Sequence, residues 1–125
     1  MSVPNSDRPQ GFPPEARLKA RVEYKRIYAT GRKRAGRLVV VFAAPAAGPG
    51  CRLGVTATKK MGGAVLRNRA RRRVREIFRR WRAGQVDSAG TDFVVNVSDR
   101  TVSAPHATLQ SELVGLFSRA AGGPP

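Results

Sequence analysis

The chain has 125 residues, enough for one hydrophobic core and too few for two ordinary domains. Its net charge of +16 indicates an anionic partner, with nucleic acid as the first candidate. The single cysteine, Cys51, excludes an internal disulfide framework and a cysteine metal site, and it suits a reducing compartment. No signal-peptide core and no bilayer-length apolar run are visible, so we expect a soluble, cytoplasmic protein.

One domain with frayed ends is predicted. Residues 1–14 are polar, rich in proline and aperiodic, which predicts a disordered lead-in, and residues 121–125 should be a disordered tail. The domain itself should cover residues 15–120. Its first element is a helix over 21–29, predicted from apolar residues at helical spacing, with Gly31 placed to end it.

Two strands should follow this helix. After a basic stretch at 32–34, a valine-rich run predicts a strand over 38–44. Alternating apolar residues predict another strand over 53–58. The short loop at 46–50 would make the two strands an antiparallel hairpin.

The second half of the chain predicts a long helix over 64–83, a strand over 92–97 and a closing helix over 105–119. Within that strand Phe93, Val95 and Val97 should face one way. The element order α-β-β-α-β-α indicates an α+β domain, with helices packed on a small sheet.

The long helix carries nine arginines and one acid, Glu76. The arginines are Arg67, Arg69, Arg71, Arg72, Arg73, Arg75, Arg79, Arg80 and Arg82. Like charges four residues apart repel each other, and cations near a helix N-terminus oppose its dipole. The sequence therefore predicts that this helix binds an external polyanion, such as a phosphate backbone.

The same helix has an apolar stripe that should pack on the sheet. Its members are Leu66, Ala70, Val74, Ile77, Phe78 and Trp81. Trp81 could instead stack on a base, but its place on the stripe favours the core. Arginines then flank the stripe on both sides.

The twenty residues from Lys59 to Phe78, KKMGGAVLRNRARRRVREIF, resemble the signature of the bacterial ribonuclease P protein subunit. A Lys-Lys pair, a glycine, an Ala-Val pair and an Arg-Asn-Arg trio occur in that family at this spacing. The resemblance extends from Arg17 to Ala120. It departs at Gly63, where the family often has a polar residue, and at Tyr24 and Tyr28, where it often has phenylalanine.

This resemblance implies an α+β sandwich similar to the second domain of a small-subunit ribosomal protein, with a left-handed β-α-β crossover. It implies an accessory protein to a catalytic RNA, which removes the 5′ leader of precursor tRNA using Mg²⁺ bound mainly by the RNA. The implied contacts to the RNA subunit are Lys59, Lys60, Arg67, Asn68, Arg69, Arg71, Arg72 and Arg75. The implied leader cleft consists of Tyr24, Tyr28, Phe42, Thr56 and Thr58.

Several alternatives stay open at this point. Tyr24 and Tyr28 could be core residues rather than cleft residues, and replacing either ring by phenylalanine should be nearly silent because no hydroxyl contact is invoked. His106, the only histidine, is expected at the surface, and the scattered acids predict no metal site and no catalytic group in the protein. The rival functions are a ribosomal or RNA-chaperone protein, a helix-turn-helix DNA-binding protein and an autonomous nuclease.

Overall fold

The computed structural model describes residues 16–18, 21–46, 50–84 and 90–122, of which residues 59, 121 and 122 are described by their backbone alone. The strands are β1 (Arg32–Ala35), β2 (Val39–Pro45), β3 (Arg52–Ala57) and β4 (Thr91–Val97), and the helices are α1 (Arg21–Thr30), α2 (Ala64–Ala83), α3 (Asp99–Ser103) and α4 (His106–Gly122). A short 3-10 helix, Lys59–Met61, precedes α2. The disorder predicted for residues 1–14 and 123–125 lies outside the described residues.

The four strands form one mixed sheet in the order β1-β2-β4-β3. β2 is antiparallel to both β1 and β4, whereas β3 and β4 are parallel and are joined through α2. The predicted α+β architecture is confirmed, but the predicted hairpin between β2 and β3 is wrong, since β4 lies between them. Every residue of β4 except Asn96 is buried, and a strand buried on both faces belongs at the centre of a sheet.

The long helix begins and ends at the predicted residues, and α1 and β4 each extend one residue beyond the prediction. Two short elements were missed. The edge strand β1 has the sequence RKRA, without apolar alternation, and α3 has five residues, too few for helical periodicity. The closing helix α4 begins at His106, one residue after the predicted start, and continues to Gly122, into the predicted tail.

The first face of the sheet packs on α2 and α4. Phe93, Val95 and Val97 of β4 face this core, as predicted. Trp81 is also in the core, where its ring centroid lies 5.7 Å from that of Phe93 and 5.2 Å from that of Phe117. The core interpretation of Trp81 is therefore confirmed over base stacking.

Leu66 does not belong to the buried stripe of α2, because 38% of it is exposed. It lies in the first turn of the helix, beyond the edge of the sheet that the later residues Ala70 and Val74 contact. The other predicted stripe residues are buried.

The second face of the sheet is covered in part by α1. Asp92 is fully buried there and accepts hydrogen bonds from Arg52 Nε and Nη2, at 2.8 and 2.7 Å, and from Arg26 Nη2 at 2.5 Å. Arg52 Nη1 also donates to Glu23 at 2.9 Å. The hydrogen bonds with Asp92 raise the pKa of Arg52 above its ordinary value. Because Arg26 and Glu23 belong to α1, this ion network fastens the helix to β3 and β4.

Replacing Asp92 should release α1. In Asp92→Ala two guanidinium groups lose their buried partner, and we expect a loss of about 3 kcal/mol in the free energy of unfolding, since the arginines keep some solvent. Urea unfolding measures it. The matched control is Asp99→Ala, an exposed acid in the first turn of α3, which should cost less than about 1 kcal/mol. Equal losses in the two variants would contradict a structural role for the network.

Candidate nucleic-acid interface

The start of α2 depends on two consecutive glycines. Gly62 has a φ of +114°, which side chains other than glycine rarely tolerate. Gly63 is the N-cap residue, and no side chain caps the first turn. The first turn therefore presents backbone N–H groups without a side-chain acceptor, a local environment that favours anions.

Arg73 serves the fold and is not available to a ligand. Its Nη1 donates to the carbonyl oxygens of Thr101 and Val102, at 2.8 and 2.6 Å, and its Nη2 donates to that of Ala104 at 2.7 Å. These carbonyl oxygens lie at the C-terminal end of α3, where a cation is favoured by the helix dipole. Arg73 thus holds α3 against α2.

The last arginines of α2 also have partners within the protein. Arg79 and Arg80 both donate to Glu76, with shortest distances of 2.5 and 2.9 Å. The hydrogen bonds from Arg79, and then those from Arg80, lower the pKa of Glu76. Arg82 Nε donates to the carbonyl oxygen of Cys51 at 3.0 Å. Four of the nine arginines, Arg73, Arg79, Arg80 and Arg82, are therefore paired inside the domain, and the other five carry the charge that is left for an external anion.

The unpaired charge is concentrated in the N-terminal half of α2. Five arginines form no ion pair with any residue that the structure describes: Arg67, Arg69, Arg71, Arg72 and Arg75. All five are among the residues predicted to contact an RNA subunit. Asn68 Oδ1 accepts a hydrogen bond from Arg71 Nη1 at 3.2 Å, so this asparagine orients one of the five.

The guanidinium group of Arg75 lies close to other positive charges. Burial lowers the pKa of Arg75, and the nearby charges of Arg17 and Arg71 lower it further. A phosphate group beside this cluster would replace repulsion by attraction. Lys60 is exposed just before α2, and the side chain of Lys59 lies outside the described part of the chain.

The second face of the sheet has an open end. α1 crosses this face from β3 over β4 to β2, with Tyr24 against Gly54, Ile27 in one cluster with Val94, and Tyr28 against Phe42. A helix is about 10 Å wide and a strand rises about 3.3 Å per residue, so α1 covers about three residues of each strand. Beside α1, Phe42 of β2, Asn96 of β4 and Thr56 of β3 stay partly exposed on this face.

Three of the residues predicted for a leader cleft meet at this open end. The rings of Tyr28 and Phe42 are arranged edge to face with centroids 4.8 Å apart. Tyr28 Oη lies 3.2 Å from Thr56 Oγ1 and donates to Asn96 Oδ1 at 2.8 Å, and Thr56 Oγ1 also donates to Asn96 Oδ1. We call this group of four residues the aromatic cleft. The hydroxyl of Tyr28 has partners, contrary to the sequence-based expectation.

Tyr24 forms the wall between the aromatic cleft and α2. A Cβ atom at Gly54 would lie only 2.4 Å from Tyr24 Oη, so this glycine makes room for the ring. Burial raises the pKa of Tyr24, whereas the nearby charges of Arg75 and Arg71 act in the opposite direction. Tyr24 is thus half-buried against β3, and it lies near both the arginines of α2 and Tyr28 of the aromatic cleft.

Thr58 and His106 lie at the surface outside the aromatic cleft, and Asn96 belongs to the cleft although it was not predicted. Thr58 is exposed beyond the end of β3, where its carbonyl oxygen accepts a hydrogen bond from the Met61 N–H at 3.1 Å. Asn96 was not predicted, although a polar residue inside the apolar run of β4 was a visible signal. His106 is exposed at the first residue of α4, as expected.

The described residues offer no acid or base arranged for hydrolysis. No three histidine, cysteine, aspartate or glutamate side chains among them lie close enough to hold a metal ion. No helix in the described ranges is long and apolar enough to cross a membrane.

Comparison with known proteins agrees with the geometry. A family model described as ribonuclease P matches residues 12–121. The chain is 38% identical over 108 residues to the ribonuclease P protein component of Paramagnetospirillum magneticum, an alignment covering 82% of this chain and 80% of that protein. It is 39% identical to the corresponding protein of Symbiobacterium thermophilum, covering 83% and 90% of the two chains. The chain belongs to the ribonuclease P protein family.

The fold comparison gives the same family. The structure of the ribonuclease P protein from Thermotoga maritima superposes with a TM-score of 0.72 at 30% identity, covering 82% of this chain and 96% of that one. The ribonuclease P protein of Staphylococcus aureus gives 0.71 at 28% identity, covering 85% and 97%. The family therefore extends over the sheet and over both surfaces described above.

The two flanks of α2 should respond differently to mutation. Arg73→Ala removes three charge-assisted hydrogen bonds to backbone carbonyls, and we expect it to lower the free energy of unfolding by about 2 kcal/mol. Arg72→Ala removes an exposed, unpaired charge and should leave stability within about 0.5 kcal/mol. Chemical denaturation of both variants checks this. Equal stability of the two would contradict the assignment of Arg73 to the fold.

Proposed function

We propose that this protein is the RNA-binding subunit of a ribonuclease P that binds two RNA partners on adjoining surfaces. The N-terminal half of α2 binds the catalytic RNA, and the aromatic cleft with Tyr24 and Thr58 binds the 5′ leader of precursor tRNA. The RNA performs the hydrolysis that produces the mature tRNA 5′ end, in the cytoplasm. The observation that carries this proposal is the group of five unpaired arginines beside an open, aromatic-lined sheet face.

The basic surface suits a folded RNA. Counterion release on phosphate binding supplies most of the sequence-independent affinity for nucleic acids. The exposed Lys60 and Asn68 add polar groups to the five arginines, and we assign Lys59 to the same surface from its place in the sequence. Because Arg73 donates to backbone carbonyl oxygens and Arg79 and Arg80 donate to Glu76, we place the proposed contacts in the first half of α2.

The aromatic cleft suits a single strand. Unpaired bases stack on aromatic side chains with about 1–3 kcal/mol per base and little sequence dependence. Tyr28 is 39% exposed, and its ring lies against the partly exposed Phe42. Paired bases in a duplex have no free face to offer, so this surface favours a leader over the acceptor stem.

In this proposal the catalytic RNA, and not the protein, binds the Mg²⁺ ions. Two of the described acids have partners within the protein, since Asp92 is bonded to Arg26 and Arg52 and Glu76 is bonded to Arg79. Mg²⁺ held by the RNA supplies the activation of the attacking water. The protein's fixed cations replace part of the screening that RNA folding and substrate docking require.

The protein should lower the magnesium that cleavage needs without cleaving alone. We expect RNA-free protein to leave precursor tRNA intact, and the cognate RNA to cleave at lower magnesium when the protein is present. Leader release measured across a magnesium titration checks both statements. A ribosomal or chaperone protein would leave the magnesium dependence of this RNA unchanged, and cleavage by the protein alone would indicate a nuclease.

Salt dependence should distinguish the unpaired arginines from the paired ones. Combining Arg67→Ala, Arg69→Ala and Arg72→Ala should weaken binding to the RNA subunit and reduce the slope of log affinity against log salt by about 2–3. The matched control is the pair Arg79→Ala and Arg80→Ala, whose guanidinium groups both donate to Glu76, and it should change the slope by less than the triple variant does. Filter binding over a salt series measures both, and equal slopes would place the RNA elsewhere.

Tyr28 should separate the two RNA partners. In Tyr28→Ala we expect unchanged affinity for the RNA subunit and a loss of about 1–3 kcal/mol in the preference for precursor over mature tRNA, because one stacking ring is gone. Tyr24→Ala is the comparison, since this half-buried ring should also lower the melting temperature. If Tyr28→Ala melts normally and still distinguishes the two tRNAs, the leader lies outside the cleft.

A further inference from the structure

Asn96 occupies the floor of the aromatic cleft. It lies on the central strand β4, paired with Val40 of β2 on one side and with Thr56 of β3 on the other. The other six residues of β4 are buried, and Asn96 alone in this strand is partly exposed. Asparagine is unfavourable in the interior of a strand, so an apolar residue would suit the fold better. A polar side chain at this position indicates a role in binding.

The two hydroxyl groups beside Asn96 determine which hydrogen bonds its side-chain amide can still form with a ligand. Tyr28 Oη and Thr56 Oγ1 both donate to Asn96 Oδ1, which uses the two lone pairs of that oxygen. Nδ2 forms no hydrogen bond with any residue that the structure describes. The amide is thereby held in one orientation, and its remaining capacity is two N–H donors and no acceptor.

We propose that Asn96 is the specificity-determining residue of the cleft and selects the base of one leader nucleotide through hydrogen-bond donors alone. This inference rests on the proposed leader cleft. The Watson–Crick edges of adenine, cytosine and uracil each present a ring nitrogen or carbonyl acceptor beside at most one donor group. Guanine presents one acceptor there, O6, beside the N1–H and N2–H₂ donors, and an amide whose oxygen is occupied can donate to O6 but leaves both of these donors unpaired. Guanine is therefore disfavoured at this position.

The test uses the holoenzyme, assembled from this protein and its cognate RNA, with precursor tRNAs that carry each of the four nucleotides at each leader position. Relative kcat/KM values are measured in competition. For the wild type we expect guanine to be disfavoured by about tenfold at a single leader position, as an unpaired donor costs roughly this much. The other positions should show smaller differences.

Two variants of Asn96 test the direction of the hydrogen bonds. Asn96→Asp keeps an oxygen for Tyr28 and Thr56 and replaces the donating amine by an acceptor of the same size. Guanine should then become the preferred nucleotide at that position, because its N1–H and N2–H₂ can donate to the carboxylate. Asn96→Val, which matches the neighbouring Val40, should remove the preference altogether. Thermal melting confirms that both variants fold.

Tyr28→Phe gives a third readout with the stacking ring retained. Removing the hydroxyl frees one lone pair of Asn96 Oδ1, so the amide can accept as well as donate. We expect the discrimination against guanine to fall by several-fold while the preference for precursor over mature tRNA persists. This contrasts with the nearly silent change expected from sequence alone.

The outcomes separate this inference from the proposed function. A wild type that prefers precursor over mature tRNA but has no nucleotide preference at any leader position overturns the role of Asn96 alone. Identical nucleotide profiles for the wild type and Asn96→Val also overturn it. A wild type that fails to prefer precursor tRNA overturns the leader cleft itself.

Discussion

The central strand β4 must be covered on both of its faces, and the rest of the structure follows from how this is done. The two long helices α2 and α4 cover the first face, through Phe93 and its aromatic neighbours. Among the described residues, the ten-residue α1 and the buried Leu18 cover the second face. Because the ion network of Asp92 fixes α1 at one end of the strands, the other end stays open and becomes the aromatic cleft.

The arginines of α2 fall into two groups, those with a hydrogen-bond acceptor inside the domain and those without an acidic partner among the described residues. Toward the C-terminal end, carbonyl oxygens and Glu76 lie close enough to satisfy Arg73, Arg79, Arg80 and Arg82. In the first turn Val65 and Leu66 are exposed, and no acid among the described residues pairs with the arginines of the N-terminal half of the helix. A protein with many arginines on one helix can therefore use half of them for stability and keep the other half for a polyanion.

The sequence predicts elements with a long periodic pattern well. It does not predict contacts between residues that are far apart in the chain. The bounds of α2 follow from twenty residues of consistent pattern, and the family resemblance predicted the residues of both proposed surfaces. The position of β4 between β2 and β3 could not be predicted, because loop length favours a hairpin while burial on both faces decides the order. The partners of Arg73 lie about thirty residues away, on a helix too short to leave a periodic signal. Asn96 was overlooked because its meaning depends on two hydroxyl groups from other elements.

On the proposed function, the adjacency of the two surfaces would allow an RNA enzyme to hold an RNA substrate. A catalytic RNA and a leader are both polyanions and repel each other at short range. Tyr24 stands between the cleft and α2, where Arg71 and Arg75 act on the same ring and Arg17 acts on Arg75. These cations are crowded in the free protein, so phosphates on either side relieve their mutual repulsion. On the proposed function, one row of arginines thus serves both strands, and each bound RNA lessens the electrostatic penalty for the other.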